Sequence, residues 1–255
     1  MTVAPVGIRC PEHAGKRPSA APRAVRTVRR PLARRGIVIT GSAPVTKILV
    51  AVNVIIYLIT IAQGTGVNTP GGRLFFDWIL YGPYVAQGDW WRLITACFLH
   101  VSLWHIAFNM WALWWLGAVV ESALGSWRFL LLYFVSGLAG SAGALIWDPG
   151  KPAAGASGAI FGILGAGLIL EWRATGQLAG NFLTMIVLNL VITLAFSSFI
   201  SAGGHVGGLI GGLLCTSVIM LRGRFRGFDV ATIMGLVAIG AVSVALAYWK
   251  VKGLA

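Results

Sequence analysis

Residues 155–170 read GASGAIFGILGAGLIL, and apart from Ser157 every position is apolar or glycine. Such a run suits the hydrocarbon of a bilayer, where about 20 residues make one helical crossing. A second run, 204–221, carries a lone His205 inside Gly203-Gly204-His205-Val206-Gly207-Gly208. Each of the two polar residues stands at the N-terminal end of its run. If both ends face one side of a membrane, a hydroxyl nucleophile and an imidazole base meet inside the lipid-covered part of the protein.

The composition places the whole chain in a membrane. Of 255 residues, 57% are hydrophobic and only 11% charged, against roughly a quarter charged in soluble domains. Mean hydropathy is +0.82. The net charge of +13 is concentrated, with ten of the 20 Lys and Arg in residues 1–47. A membrane-proximal basic flank explains this better than nucleic-acid binding. Cys10, Cys97 and Cys215 are odd in number and far apart, so no disulfide framework is expected.

Residues 1–45 are rich in Arg, Pro and Ala and read as a disordered cytoplasmic tail. No signal peptide is visible in them; a transit peptide is the alternative for an Arg-rich, acid-poor leader. Cys10-Pro-Glu-His13 is half of a metal clip without its second pair, so no metal is assigned. Seven spans follow, near 46–62, 102–120, 127–147, 157–172, 182–199, 204–221 and 230–249. The fold expected is an all-α polytopic transmembrane bundle: a six-span core over 46–221, then a basic loop and a seventh helix over 222–255. The connection 63–101 is rich in Gly and aromatic rings, which favour the headgroup level.

With the N-terminus in the cytoplasm, 15 Lys and Arg fall on inner segments and five on outer ones, as the positive-inside rule asks. Spans two, four and six then all run from outside to inside. His105, Ser157 and His205 lie within about a turn of one membrane face at 1.5 Å per residue. Asn109 follows His105 by four positions and sits one turn deeper on the same helix face.

The seven acidic residues lie in loops or at span ends, and none is placed to back His205; Asp148 in an outer loop stays open. His-Glu-x-x-His and an intramembrane Asp pair are missing, which disfavours metalloprotease and aspartyl-protease chemistry. A Ser-His pair remains, with His205 able to take the Ser157 proton. Phe161, four residues on, projects on the Ser157 face and can stack on the base. Gly158 with Gly162, Gly204 with Gly208, and Gly208 with Gly212 are spaced GxxxG, which lets membrane helices approach closely. Ser157 at a helix start keeps its backbone N–H free for an oxyanion, and His105 and Asn109 offer further donors. Each residue alone also reads as packing or interhelical hydrogen bonding; their convergence on one layer favours a catalytic site.

This set resembles the rhomboid intramembrane serine proteases. The resemblance runs from about 46 to 221 and rests on Trp91-Arg92, on His100-Val-Ser-Leu-Trp-His105-Ile-Ala-Phe-Asn109, on Gly155-Ala-Ser157-Gly158, and on His205-Val-Gly-Gly208-Leu-Ile-Gly-Gly212. It implies Ser157 as nucleophile, His205 as base, and His105, Asn109 and the Ser157 backbone as the oxyanion hole. It implies supporting roles for Phe161, Trp91, Arg92, Gly155, Gly158, Gly208, Gly212 and Glu121. Span five and the 200–203 connection would be gate and cap. Gly204, where many members have Ala, is a departure. No cofactor is implied. The implied partners are single-span membrane protein substrates and the bilayer, in a bacterial plasma membrane, with no nucleic acid. Two alternatives are a non-proteolytic rhomboid-like membrane chaperone and a transporter using His100, His105 and His205.

Overall fold

Backbone crossing hydrocarbon has no water to satisfy its N–H and C=O groups, so each apolar run closes its own hydrogen bonds as a helix. The computed structural model describes residues 2–4, 7–9, 42–221 and 230–254. The chain divides into two units, 1–34 and 35–255. Within the first, β1 (Thr2–Ala4) and β2 (Gly7–Arg9) pair antiparallel. The rest of the tail expected to be disordered, with Cys10 and His13, lies outside the described residues, as does the basic loop 222–229.

Among the described residues, six helices of the second unit are long and apolar enough to cross a membrane. They are α1 (Pro44–Gln63), the composite Leu103–Leu124, α7 (Ser126–Trp147), α8 (Ser157–Thr175), α10 (Ala202–Met220) and α11 (Val230–Val251). The composite consists of α5 (Leu103–Ala112), a π-helical stretch Leu113–Gly117, and α6 (Ala118–Leu124). On its outer face Trp104, Phe108, Trp111 and Trp115 form an exposed stripe, as a lipid-facing surface would.

The fifth span is shorter than expected. α9 (Asn181–Ala195) has 15 residues, about 22 Å at the helical rise against a hydrocarbon core of about 30 Å. Phe199 and Ile200 donate to the Phe196 carbonyl in a turn where 196–199 was expected to continue the helix. Ser197 and Ser198 stand at this break, and serine hydroxyls compete with the helical backbone.

The connection 63–101 is mostly helical: α2 (Gly72–Trp78), α3 (Gly82–Ala86), α4 (Arg92–Thr95) and a 3-10 turn Ala96–Phe98. Arg92 is buried in it. Its guanidinium donates to Asp89 at 2.8 Å, to the Phe76 carbonyl at 2.6 Å and to the Ile79 carbonyl at 3.1 Å, and lies over the Tyr84 ring. Trp91 Nε1 donates to the Asp77 carbonyl at 3.1 Å. A two-residue bridge between Leu80 and Ala153 stitches this connection to the segment that leads into α8.

α7 packs against α8, α10 and α11. At the opposite end of the bundle, the buried Glu121 carboxylate accepts from the backbone of Val45 and Thr46 and from the hydroxyls of Thr46 and Ser126, at 2.6–3.0 Å. One carboxylate thereby joins the start of α1, the end of α6 and the start of α7.

Candidate active site

Ser157 is the first residue of α8, and the backbone ahead of it is held firmly. Gly155 N–H donates to the Ala96 carbonyl at 2.9 Å. Gly155 has φ +129°, a conformation side chains rarely adopt, and a Cβ there would also stand 2.7 Å from His105 Nε2. That same point is 3.7 Å from Ser157 Oγ. The space that glycine leaves therefore lies between the hydroxyl and the His105 ring.

His205 is in the first turn of α10, whose N-terminus is capped by Ser201 Oγ accepting from Gly204 N–H at 3.2 Å. It is buried and stacks on Phe161, ring centroids 4.1 Å apart at 21°. The stack is possible because α8 and α10 touch backbone to backbone. A Cβ on Gly208 would overlap the Gly158 carbonyl, and one on Gly212 would overlap that of Gly162. In lipid, where no hydrophobic force drives helices together, such contact gives the van der Waals energy of association.

Ser157 Oγ has no hydrogen bond among the described residues, to His205 or to any other group. His205 Nδ1 is 2.7 Å from Thr193 Oγ1 on α9, which leaves Nε2 as the ring nitrogen free for a hydroxyl. Catalytic hydrogen bonds are often long before substrate binds. Among the described residues no carboxylate faces His205; Asp148 Oδ1 instead accepts from Gly150 N–H at 3.1 Å.

His105 stands in the first turn of α5, capped by Ser102 Oγ. Its Nδ1 receives a long contact of 3.5 Å from Val101 N–H, so by network assignment the ring proton is on Nε2, beside Ser157. His100 packs edge-on to it at 5.0 Å. Burial, then the neighbouring His105, push His100 down to about 3, against a smaller opposing effect of the Phe98 backbone. It is neutral at physiological pH. Asn109 is turned back on its own helix, Nδ2 donating to the His105 carbonyl at 3.0 Å. One of its two amide hydrogens is thereby committed.

A cavity of about 40 Å³, room for a water, is lined by Gly155, Ser157, Gly158, Ser201 and Gly204 among others. A larger one of about 340 Å³ is lined by Trp147, Asp148, Lys151, Leu194 and Ser197 among others. Both have Ala144, Ala153 and Ser201 in their walls, so they adjoin. Among the described residues no three His, Cys, Asp or Glu side chains form a group fit to hold a metal ion.

Residues 87–222, more than half the chain, match the Rhomboid domain family. The chain belongs to the rhomboid family. This rhomboid chain is 37% identical over 204 residues to rhomboid protease GluP of Bacillus subtilis, covering 79% of its own length and 37% of GluP. It is 36% identical over 123 residues to the putative rhomboid protease YdcA of the same organism, covering 48% of itself and 61% of that protein. Rhomboid protease AarA of Providencia stuartii is 30% identical over 148 residues, 51% of each chain. The rhomboid chain thus spans between about a third and three fifths of the length of these relatives.

Two polar residues that hold α9 escaped the sequence reading: Thr193, which meets His205, and Glu171, at the far end of α8 from Ser157. Thr193 is one hydroxyl in an apolar helix. Glu171, whose carboxylate accepts from Asn181 and Phe182 N–H at 3.1 and 3.0 Å, caps the start of α9. An acidic residue ten positions before a helix start is a signal that could have been noticed; Thr193 offers no comparable one.

Proposed function

We propose that this chain is an intramembrane serine endopeptidase with Ser157 as nucleophile and His205 as base. The observation that carries the reading is the Phe161–His205 stack across the glycine-packed α8–α10 contact. It sets the base beside the helix turn that begins with Ser157. Family membership and relatives named as proteases support the same reaction class.

In the proposed reaction Ser157 Oγ attacks the scissile carbonyl while His205 Nε2 takes its proton. The oxyanion forms in the space beside Gly155, within reach of His105 Nε2–H and the free N–H groups at the start of α8. The remaining hydrogen of Asn109 Nδ2 is a further donor. Collapse of the intermediate breaks the C–N bond, and His205 returns the proton to the leaving amine. Water then attacks the acyl-enzyme by the same route and restores Ser157. The adjoining cavities supply its path.

Substrates are single-span membrane proteins cut near the outer end of their helix, where Gly or Pro helps the segment fray; an intact helix hides its carbonyls. The N-terminus is cytoplasmic, from the distribution of Lys and Arg, and the membrane is taken as a bacterial plasma membrane. Trp91 and Arg92 brace the outer connection, and Glu121 holds the inner end.

Ser157→Ala should insert normally, fail to cleave a co-expressed single-span substrate, and fail to react with a fluorophosphonate. Losing the nucleophile or base costs on the order of 10⁶ in rate, so His205→Ala should also stay unlabelled. Cleavage by Ser157→Ala at the wild-type rate would defeat the assignment. A non-labelling wild-type protein that still binds membrane clients would favour a chaperone.

A further inference from the structure

Among the described residues the base of this site has no carboxylate behind it; it has a threonine, supplied by a different helix. Thr193 is buried near the C-terminal end of α9. Its Oγ1 lies 2.7 Å from His205 Nδ1 and 2.6 Å from the Asn189 carbonyl oxygen. A hydroxyl has one proton and can also accept. The carbonyl can only accept, and two oxygens at 2.6 Å with no proton between them repel, so the Thr193 proton goes to Asn189. The hydroxyl lone pair must then accept from His205, which puts the ring proton on Nδ1 and leaves Nε2 as a bare lone pair. His105 carries the opposite tautomer, its Nδ1 facing Val101 N–H.

We infer that Thr193 is a positioning residue that selects the base-competent tautomer of His205 and makes that selection depend on the seating of α9. The inference rests on the Ser157–His205 reading and adds what orients the base. α9 is short; Phe182 and Ile186 pack it against Phe161 and Leu164, and one side chain ties each of its ends. Glu171 caps its start, and Lys151 Nζ donates to the Ser197 carbonyl just past its end, at 2.7 Å. Its Val187, Leu188, Val191 and Leu194 face outward. Because Thr193 belongs to α9 and His205 to α10, the contact exists only while the two helices hold this register.

The direct test is ¹⁵N NMR of histidine-labelled full-length protein in detergent, with the His205 signals assigned by their loss in His205→Ala. The expected pattern is a protonated Nδ1 and an unprotonated Nε2 for His205, and the reverse for His105. Thr193→Val keeps the volume and removes the acceptor. It should lower kcat by about tenfold or more, as misplacing a reacting group does, with KM unchanged, and abolish the Nδ1–H pattern of His205. Thr193→Ser should restore both. An unprotonated Nδ1 in wild-type His205 would overturn the inference, and so would a Thr193→Val enzyme with unchanged kcat. If Thr193→Val and Thr193→Ser lose activity alike, the role is packing and the inference is also wrong. The NMR pattern does not depend on cleavage, so it stands or falls separately from the nucleophile tested by Ser157→Ala.

Discussion

Gly208→Ala puts one methyl group at the tightest point between α8 and α10, and its consequences can be worked through. The new Cβ would overlap the Gly158 carbonyl oxygen and sit 3.0 Å from the Gly158 Cα. Both obstacles are backbone, so no side chain can swing aside and the helices must separate. Overpacking of this kind costs typically about 1–3 kcal/mol. Alanine returns up to about 1 kcal/mol of helix propensity, which does not offset the upper part of that range. A net loss of about 1–2 kcal/mol lowers the melting temperature by about 2–8 °C at this chain length. The larger effect falls on chemistry, because Gly158 adjoins Ser157 and Gly208 is three residues beyond His205. A displacement of about 1 Å between reacting groups costs on the order of 10²-fold in rate. Gly204→Ala, one turn away on the same helix, is the control. Its Cβ meets Ser201 Oγ, the cap of α10, at 3.0 Å, which a shift of a few tenths of an ångström relieves, and the Gly140 carbonyl only at 3.7 Å. Its losses in melting temperature and labelling rate should both be smaller than those of Gly208→Ala. Thermal unfolding in detergent and fluorophosphonate labelling rates of both variants are the assay. Wild-type labelling by Gly208→Ala, or a larger defect in Gly204→Ala, would refute the packing argument.

Glu121→Gln exchanges a carboxylate that accepts four hydrogen bonds for an amide with one acceptor oxygen. The loss should be about 2–3 kcal/mol, read as a lowered melting temperature, while the labelling rate of the folded fraction stays at the wild-type value. His100 should make the fold acid-sensitive. Its folded pKa is lowered, so the unfolded chain binds the proton first and stability falls as pH drops through the window from about 6.5 to about 3. Above that window it contributes no slope. Melting temperatures of wild type and His100→Gln between pH 8 and 4 should diverge in steepness, the variant being flatter; equal slopes would exclude His100 as the source.

Much of this site could be read before folding was considered. Because in hydrocarbon only a self-bonded helix is tolerable, hydropathy alone locates the apolar segments, though not where the fifth one ends. The four-residue step from Ser157 to Phe161 fixes a shared helix face whatever the tertiary structure. The GxxxG pairs at Gly158/Gly162 and Gly208/Gly212 mark surfaces able to approach another backbone. Counting spans then puts His105, Ser157 and His205 at one end.

Periodicity says nothing about how one helix is rotated against another, and there the tertiary structure decided. α9 holds Thr184, Asn189 and Thr193, and no spacing rule shows which of them meets His205; that depends on how α9 seats against α10. The turn of Asn109 toward its own helix and the end of α9 at Ala195 are outcomes of the same kind. A side chain finds its partner across helices by packing geometry, which local sequence does not encode. The chain itself determined which groups are available at one end of the bundle. Only the assembled helices determined that a threonine hydroxyl, already committed to a backbone carbonyl, stands at the back of the imidazole.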